Sequence, residues 1–296
     1  MSDLVPFSDL LQFLVSGVTV GAVYALVALG FTIIYNASDV VNFAQGEFVM
    51  LGGMISVAAV SAGLPLPLAA LIAIVITAAI GVALNTLAIE PARGAPVVSL
   101  IIITIGASIF IRGVTQIVFG KGTHRLPPFS GDAPLHLFGA AILPQSLWVV
   151  AGAVAIFVGL WLFFTRTLTG RAVLATSNNR LAAQLVGINT GFVMTLSFAL
   201  SAGIGALAGV LITPITPTSF EVGITLALKG FAAAMLGGMG NPKGALAGGL
   251  LLGLLEALTA GYLSSHYKDA VAFFVILVVL FAFPRGLYGS NPTERV

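Results

Sequence analysis

Residues 10–35 read LLQFLVSGVTVGAVYALVALGFTIIY, an apolar stretch with no Asp, Glu, Lys or Arg between Leu10 and Tyr35. Its length decides the fold class. A helix rises about 1.5 Å per residue, so roughly 20 apolar residues cross the hydrocarbon core of a bilayer. Open strands leave backbone groups unsatisfied in lipid, so the stretch is read as a helix. Asp3 and Asp9 precede it. A cleaved signal peptide opens on basic residues and has a shorter apolar core, so the stretch reads as a retained span.

The rest of the chain follows the same pattern. Of 296 residues, 58% are hydrophobic and 7% charged, against roughly 25% charged in soluble domains. A water-facing surface cannot be built from so few charges, and lipid is the solvent for most of this one. The net charge is +2 and the basic residues are scattered. No basic stripe suits nucleic acid. The chain has no cysteine, which excludes disulfides, thiolate catalysis and cysteine metal sites. His124, His136 and His266 fall in loops without the spacing of a helical metal pair, so no metal or cofactor is expected.

Nine candidate spans emerge: 10–35, 40–62, 68–90, 97–119, 145–164, 190–213, 224–240, 244–263 and 270–283. The segments 224–240 and 270–283 are short for full crossings. Asn36–Asp39, Gly63–Pro67, Pro91–Pro96 and Asn241–Gly244 punctuate the series. The fold expected is an all-α, polytopic transmembrane bundle of about 8–10 segments. With the N-terminus outside, alternate loops place Arg93, Arg166, Arg171, Arg180, Lys243, Arg285 and Arg295 inside and only Lys121, Arg125 and Lys268 outside. The excess of inside charge supports N-out, C-in. Residues 120–144 then form the longest outside loop, rich in Pro and Gly. Residues 165–189 form the longest inside loop, polar and Ala-rich. A single short helix from about Ala172 to Val186, closed by Gly187, fits the inside loop. Such a helix offers a surface for a soluble partner to push on.

Glycines four apart occur at Gly17/Gly21, Gly205/Gly209, Gly244/Gly248 and Gly249/Gly253. This spacing lets helix backbones approach closely in lipid. Met-Leu-Gly-Gly-Met occurs at 50–54 and again at 235–239, in spans that run in opposite directions. It suggests an inverted internal repeat with broken or re-entrant helices, an arrangement that puts the binding path at the repeat interface.

Ionisable residues inside a membrane are costly, so each is a candidate for function. Asn42, Gln45 and Glu47 cluster at the inner end of the second span. Asn42 and Gln45 would share a helix face while Glu47 points elsewhere. Glu47 either contributes to a path or caps and pairs near the head groups. Lys229 and Glu256, in adjacent spans, either pair structurally or line a polar path. Arg112 is expected to snorkel to the outer end of its helix, and Asn85 and Glu90 to face an inside vestibule or simply to pack. There is no Gly-x-x-x-x-Gly-Lys-Ser/Thr loop and no nucleophile–base constellation. The chain reads as a non-enzyme that draws energy from a partner or an ion gradient.

Four stretches carry a family resemblance. They are Val41-Asn42-Phe43-Ala44-Gln45-Gly46-Glu47-Phe48, then Gly170-Arg171-Ala172 followed by Ala182-Ala183 and Gly187-Ile188-Asn189. Next come Lys229 to Gly240 with Gly244 and Gly248-Gly249-Leu250, and last Pro284-Arg285-Gly286-Leu287-Tyr288-Gly289. In order, along nearly the whole chain, they resemble the LivH-type permeases of branched-chain amino acid ABC importers. Two positions depart from the pattern. Gln45 stands where the family commonly has His, which removes a protonation role there. Asn178-Asn179 replaces a more acidic pair.

The resemblance implies one transmembrane permease domain, residues 1–296, in a bacterial inner membrane. It implies a second homologous permease, two cytoplasmic ATPases and a periplasmic binding protein as partners. Asn42, Gln45, Glu47, Lys229 and Glu256 would line the translocation path. Gly170, Arg171, Arg180, Ala182, Ala183 and Gly187 would form the coupling surface, the two arginines holding its ends. Permeases for urea, amides or aromatic acids share the same motifs. A stand-alone ion-coupled carrier using Glu47, Lys229 and Glu256, and a membrane scaffold or intramembrane enzyme, are the readings from other classes.

Overall fold

The computed structural model describes residues 7–289 apart from residue 138. Asp3 and Arg295, used in the charge reading, lie outside the described residues. The helices are α1 (Phe7–Ser38), α2 (Gln45–Ser61), α3 (Leu66–Leu84), α4 (Val97–Phe119), α5 (Pro144–Arg166), α6 (Leu168–Asn178), α7 (Arg180–Leu185), α8 (Thr190–Ile212), α9 (Val222–Gly237), α10 (Pro242–Tyr262) and α11 (Lys268–Ala282). Among them, six are long and apolar enough to cross a membrane. The chain is therefore an all-α, polytopic membrane protein. A π-helical turn, Asn85–Ile89, extends α3.

Local chemistry sets most of the ends. Pro144 and Pro242 open α5 and α10, where a missing N–H costs nothing. Asn189 caps α8 by accepting from Phe192 N at 3.0 Å, and Asn241 caps α10 by accepting from Lys243 N at 3.0 Å. The long Pro- and Gly-rich loop after α4 is not wholly irregular. It contains a small antiparallel hairpin, β1 (Leu135–Leu137) and β2 (Ala140–Ile142), with Leu135 opposite Ile142. The hairpin lies beside the start of α1 and marks one face of the bundle. The opposite face holds α6 and α7.

The second span departs from its predicted limits. The chain stays unwound from Val40 to Ala44 after Asp39 takes a left-handed turn at φ 56°, and α2 starts only at Gln45. Asn42 therefore lies in a turn, not on a helix face with Gln45. Its Oδ1 accepts from Ala44 N at 3.1 Å, an Asx turn that competes with helix. A similar irregular stretch, 213–221, precedes α9.

These two short helices reveal the repeat. α1 packs on α10 as α8 packs on α3, and α2 and α9 each nest against the long helices of both halves and against each other. The units α1–α4 and α8–α11 thus share an order of elements in opposite directions, and an inverted repeat is present. The two Met-Leu-Gly-Gly-Met strings are not its signature. Met50 sits in the second turn of α2, whereas Met235 lies in the last turn of α9, so the strings are out of register.

The glycine pairs mark the close crossings. Gly17 and Gly21 of α1 face Leu254 and Leu250 of α10, and Gly253 leaves no room for a Cβ against Gly21. Gly205 and Gly209 receive Phe48 and Val49 of α2, and Gly248 meets Ala233 of α9. Such backbone approach maximises van der Waals contact where lipid supplies no hydrophobic drive between helices. By contrast α3, α4 and α5 expose long apolar faces, including Leu71, Ile102, Ile109, Phe110 and Trp161.

Candidate translocation path and coupling element

The polar residues of the second span meet in the middle of the bundle. Gln45 is fully buried. Its Nε2 donates to Ser201 O at 3.2 Å, and Ser201 Oγ donates to its Oε1 at 2.6 Å. Ser201 stands halfway along α8. Glu47 is 1% exposed, and its Oε1 accepts from Ser108 Oγ at 2.8 Å. Ser108 is the midpoint of α4, so Glu47 is at mid-bundle rather than at the inner end of a span. The chain reaches that depth unwound, which sequence spacing counted as helix.

Arg112 does not snorkel. Its Nε lies 3.5 Å from Glu47 Oε1 and its Nη2 lies 3.4 Å from Ser108 Oγ. The buried carboxylate of Glu47, across the α2–α4 contact, holds the guanidinium inside. The second oxygen of Glu47 faces Gly223, in the first turn of α9, so closely that a Cβ there would collide with it. Glu47 is itself in the first turn of α2. Two helix N-termini thus converge on one carboxylate.

A second polar cluster lies between α1, α9, α10 and α11. Lys229 Nζ is 2.8 Å from Glu256 Oε1 and 2.8 Å from Asp269 Oδ1. Tyr24 Oη donates to Glu256 Oε2 at 2.7 Å, and Lys229 Nζ stands 5.4 Å from the Tyr24 ring centroid. A cavity of about 380 Å³ adjoins this cluster. Val20, Val23, Val49, Ile212 and Leu226 give it apolar walls; Thr213, Thr216 and Thr218 carry it toward the hairpin face. Of the path candidates, Lys229 and Glu256 line this cavity, while Asn42, Gln45 and Glu47 lie apart in the packed joint. Asn85 is fully buried and donates to Thr195 Oγ1 at 3.0 Å. Glu90 is exposed and lies 3.4 Å from Arg93.

The coupling candidates form two helices instead of one. The chain breaks at Asn179, whose extended backbone (φ −153°, ψ 104°) lets Oδ1 accept from Ala182 N at 2.9 Å and start α7 anew. Asn is a better cap than interior helix residue, which is the reason for the break. Gly187 closes α7 as expected, at φ 87° with Ile188 N bonded to Ala183 O, a Schellman end. Gly170 is buried against the backbone of Phe163 and Phe164, so it joins α6 to α5. Arg171 reaches back to Thr165 O at 3.2 Å, and Arg180 is half-buried. Ala183 is buried against the bundle while Ala182 faces out. Sequence spacing missed the apolar residues around them: Leu181, Leu185 and Val186 are 68%, 81% and 77% exposed.

A family model described as "Branched-chain amino acid transport system / permease component" matches residues 13–280. The chain belongs to this family. It is 35% identical to the high-affinity branched-chain amino acid transport system permease protein LivH of Escherichia coli K12, covering 98% of this chain and 99% of that protein. It is 33% identical to BraD of Pseudomonas aeruginosa, described in the same terms, over 97% and 98% of the two chains. The ribose import permease protein RbsC of Haemophilus influenzae is 27% identical over 88% and 81%. Among solved structures, PsaBC from Streptococcus pneumoniae in complex with Fab shares the fold, with a TM-score of 0.51 at 17% identity over 96% of this chain and 95% of that one. Membership of an ABC permease family implies ATPase and substrate-binding partners for this permease.

The partners of these candidates that sequence reading missed, Tyr24, Ser108, Ser201 and Asp269, carry little signal alone. Asp269 was an ordinary first-turn acid at the start of a short helix. Only the crossing of α9 and α11 brings it to Lys229.

Proposed function

We propose that this permease forms the translocation path of an ABC importer for branched-chain or other hydrophobic amino acids, driven by ATP hydrolysis on partner subunits. The full-length similarity to LivH and BraD carries the reading of the substrate. The α6–α7 element carries the reading of the mechanism. It is anchored by Gly170 and Ala183, yet it offers Leu181, Leu185 and Val186 to a partner. Contiguous exposed apolar side chains beside polar ones mark an interaction surface.

In this reading α6 and α7 face the cytoplasm, as the basic loops favour. The N-terminus is then outside and the C-terminus inside, in a bacterial inner membrane. Two ATPase subunits dock on α6–α7 of this chain and of a second, homologous permease. Arg171 and Arg180 hold the docked surface at its ends, and Ala182 allows close contact. A periplasmic binding protein delivers substrate at the hairpin face. Asn42, Gln45 and Glu47 act at the joint where α2 and α9 meet, and Lys229 and Glu256 act in the cavity outward of it. Small tilts of the half-helices at that joint open or close the path, since discontinuous helices move as separate pieces.

The test is uptake of labelled leucine by vesicles holding the permease, its partner permease and the ATPases, supplied with the binding protein. ATP-dependent leucine accumulation is expected. Uptake of urea or amides without leucine would replace the substrate, and uptake driven by an ion gradient without ATP would sink the importer reading.

A further inference from the structure

We propose that the cavity between α1, α8, α9 and α10 is a transient binding site for the free amino acid as a zwitterion, with Lys229 receiving its carboxylate and Glu256 and Asp269 its ammonium. The proposal rests on the import reading above and gives this single chain a substrate site of its own.

The chemistry of the cavity is divided. Val20, Val23, Val49 and Leu226 make walls suited to a hydrocarbon side chain. The cavity wall carries the buried Lys229 ammonium and Glu256 carboxylate, in a part of the membrane where each charge is costly, and the half-exposed Asp269 reaches Lys229 from α11. A wholly apolar solute has no use for that cluster, and a bare inorganic ion has no use for the walls. A zwitterion with an apolar side chain uses both. The volume, about 380 Å³, falls at the small end of the range for small-molecule sites, roughly 300–1,000 Å³.

The cluster can exchange partners without leaving a buried charge unpaired. An ammonium has three N–H donors, and Glu256 and Asp269 use two of those on Lys229. Asp269 has a side chain 52% exposed, so its bond to Lys229 is the cheaper one to release. A substrate carboxylate takes its place, and the freed Asp269 turns to the substrate ammonium beside Glu256. Tyr24 holds Glu256 from the other side at 2.7 Å, which makes it a positioning residue. Because the cluster is already paired, affinity is modest, as a conduit requires.

The chain has no cysteine, so one introduced at Thr216, exposed at the cavity mouth, is the only thiol on it. The experiment follows maleimide labelling of Thr216→Cys in the assembled complex in nanodiscs, without binding protein or nucleotide. Leucine should slow labelling about tenfold at roughly ten times its dissociation constant. Isocaproate, which lacks the ammonium, and isoamylamine, which lacks the carboxylate, should not protect. Glu256→Gln in the Thr216→Cys background should abolish protection while basal labelling persists. Unchanged labelling with leucine, or equal protection by isocaproate, overturns the proposal. ATP-driven leucine uptake by the same Thr216→Cys complex separates the two readings. Uptake without protection removes the site and leaves the importer; protection without uptake leaves the site and removes the importer.

Discussion

Glu47 Oε1 lies 3.5 Å from Arg112 Nε, and this pair ties the first turn of α2 to the middle of α4. Few other contacts hold α4 to the bundle. Its buried side chains are Leu100, Thr104, Ser108, Ile111 and Thr115, one stripe on a helix otherwise exposed to lipid or a partner. Removing the guanidinium strands a buried carboxylate. Arg112→Met should therefore destabilise the permease by about 2–3 kcal/mol, below the roughly 3–5 kcal/mol of a fully buried pair because Arg112 is partly exposed. Adding Glu47→Gln should restore most of the loss. Thermal unfolding in detergent checks both, and no recovery in the double variant would show that the pair does not carry the effect.

Gly46 of α2 has no space for a methyl group against the backbone of Gly223 and Ala227 of α9, whereas a Cβ at Gly106 or Gly113 of α4 meets nothing within 4 Å. Gly46→Ala should cost about 1–3 kcal/mol through overpacking. Gly106→Ala should be neutral or stabilising by about 0.5–1 kcal/mol, the helix advantage of Ala over Gly. Equal unfolding temperatures for the two variants would refute the close approach of α2 and α9.

Asn179 caps α7 through Ala182 N. Asn179→Ala should loosen α7 by about 1 kcal/mol without affecting the spans. Amide hydrogen exchange should rise across residues 180–187 and remain unchanged in α1 and α10. Protection that stays as in the wild type would mean that burial of Ala183, not the cap, fixes this helix.

Leu181 and Leu185 point away from the bundle and Ala183 points into it. Leu181→Glu and Leu185→Glu should leave folded yield unchanged, reduce co-purification of the ATPases and uncouple hydrolysis from uptake. Ala183→Glu should lower folded yield itself, because the carboxylate would be buried without a partner. Full coupling in the two leucine variants would exclude this face as the docking surface.

How much of this was legible depends on what each feature needs. Periodicity and length place α4 over Val97–Phe119 without error and α5, α8 and α10 within two residues at either end, because a long apolar run in lipid has no competing backbone solution. Gly187 was readable as a left-handed helix end for a similarly local reason. The break at Asn179 was readable in principle, since Asn caps helices, but an Ala-rich flank suggested continuity. The depth of Glu47 was not readable. Spacing along the chain cannot distinguish a helix entering at the membrane surface from an unwound segment that starts its helix halfway through.

The sequence by itself determined that this chain lives in lipid, crosses it many times and belongs with branched-chain amino acid permeases. Hydropathy and short motifs are properties of neighbouring residues, and neighbours in sequence are enough to state them. Only the tertiary structure decided which polar groups meet: Glu47 with Arg112, Gln45 with Ser201, Lys229 with Asp269 as well as Glu256. Those pairings depend on how α2 and α9 cross the long helices, and a buried charge takes whichever partner the crossing brings within reach.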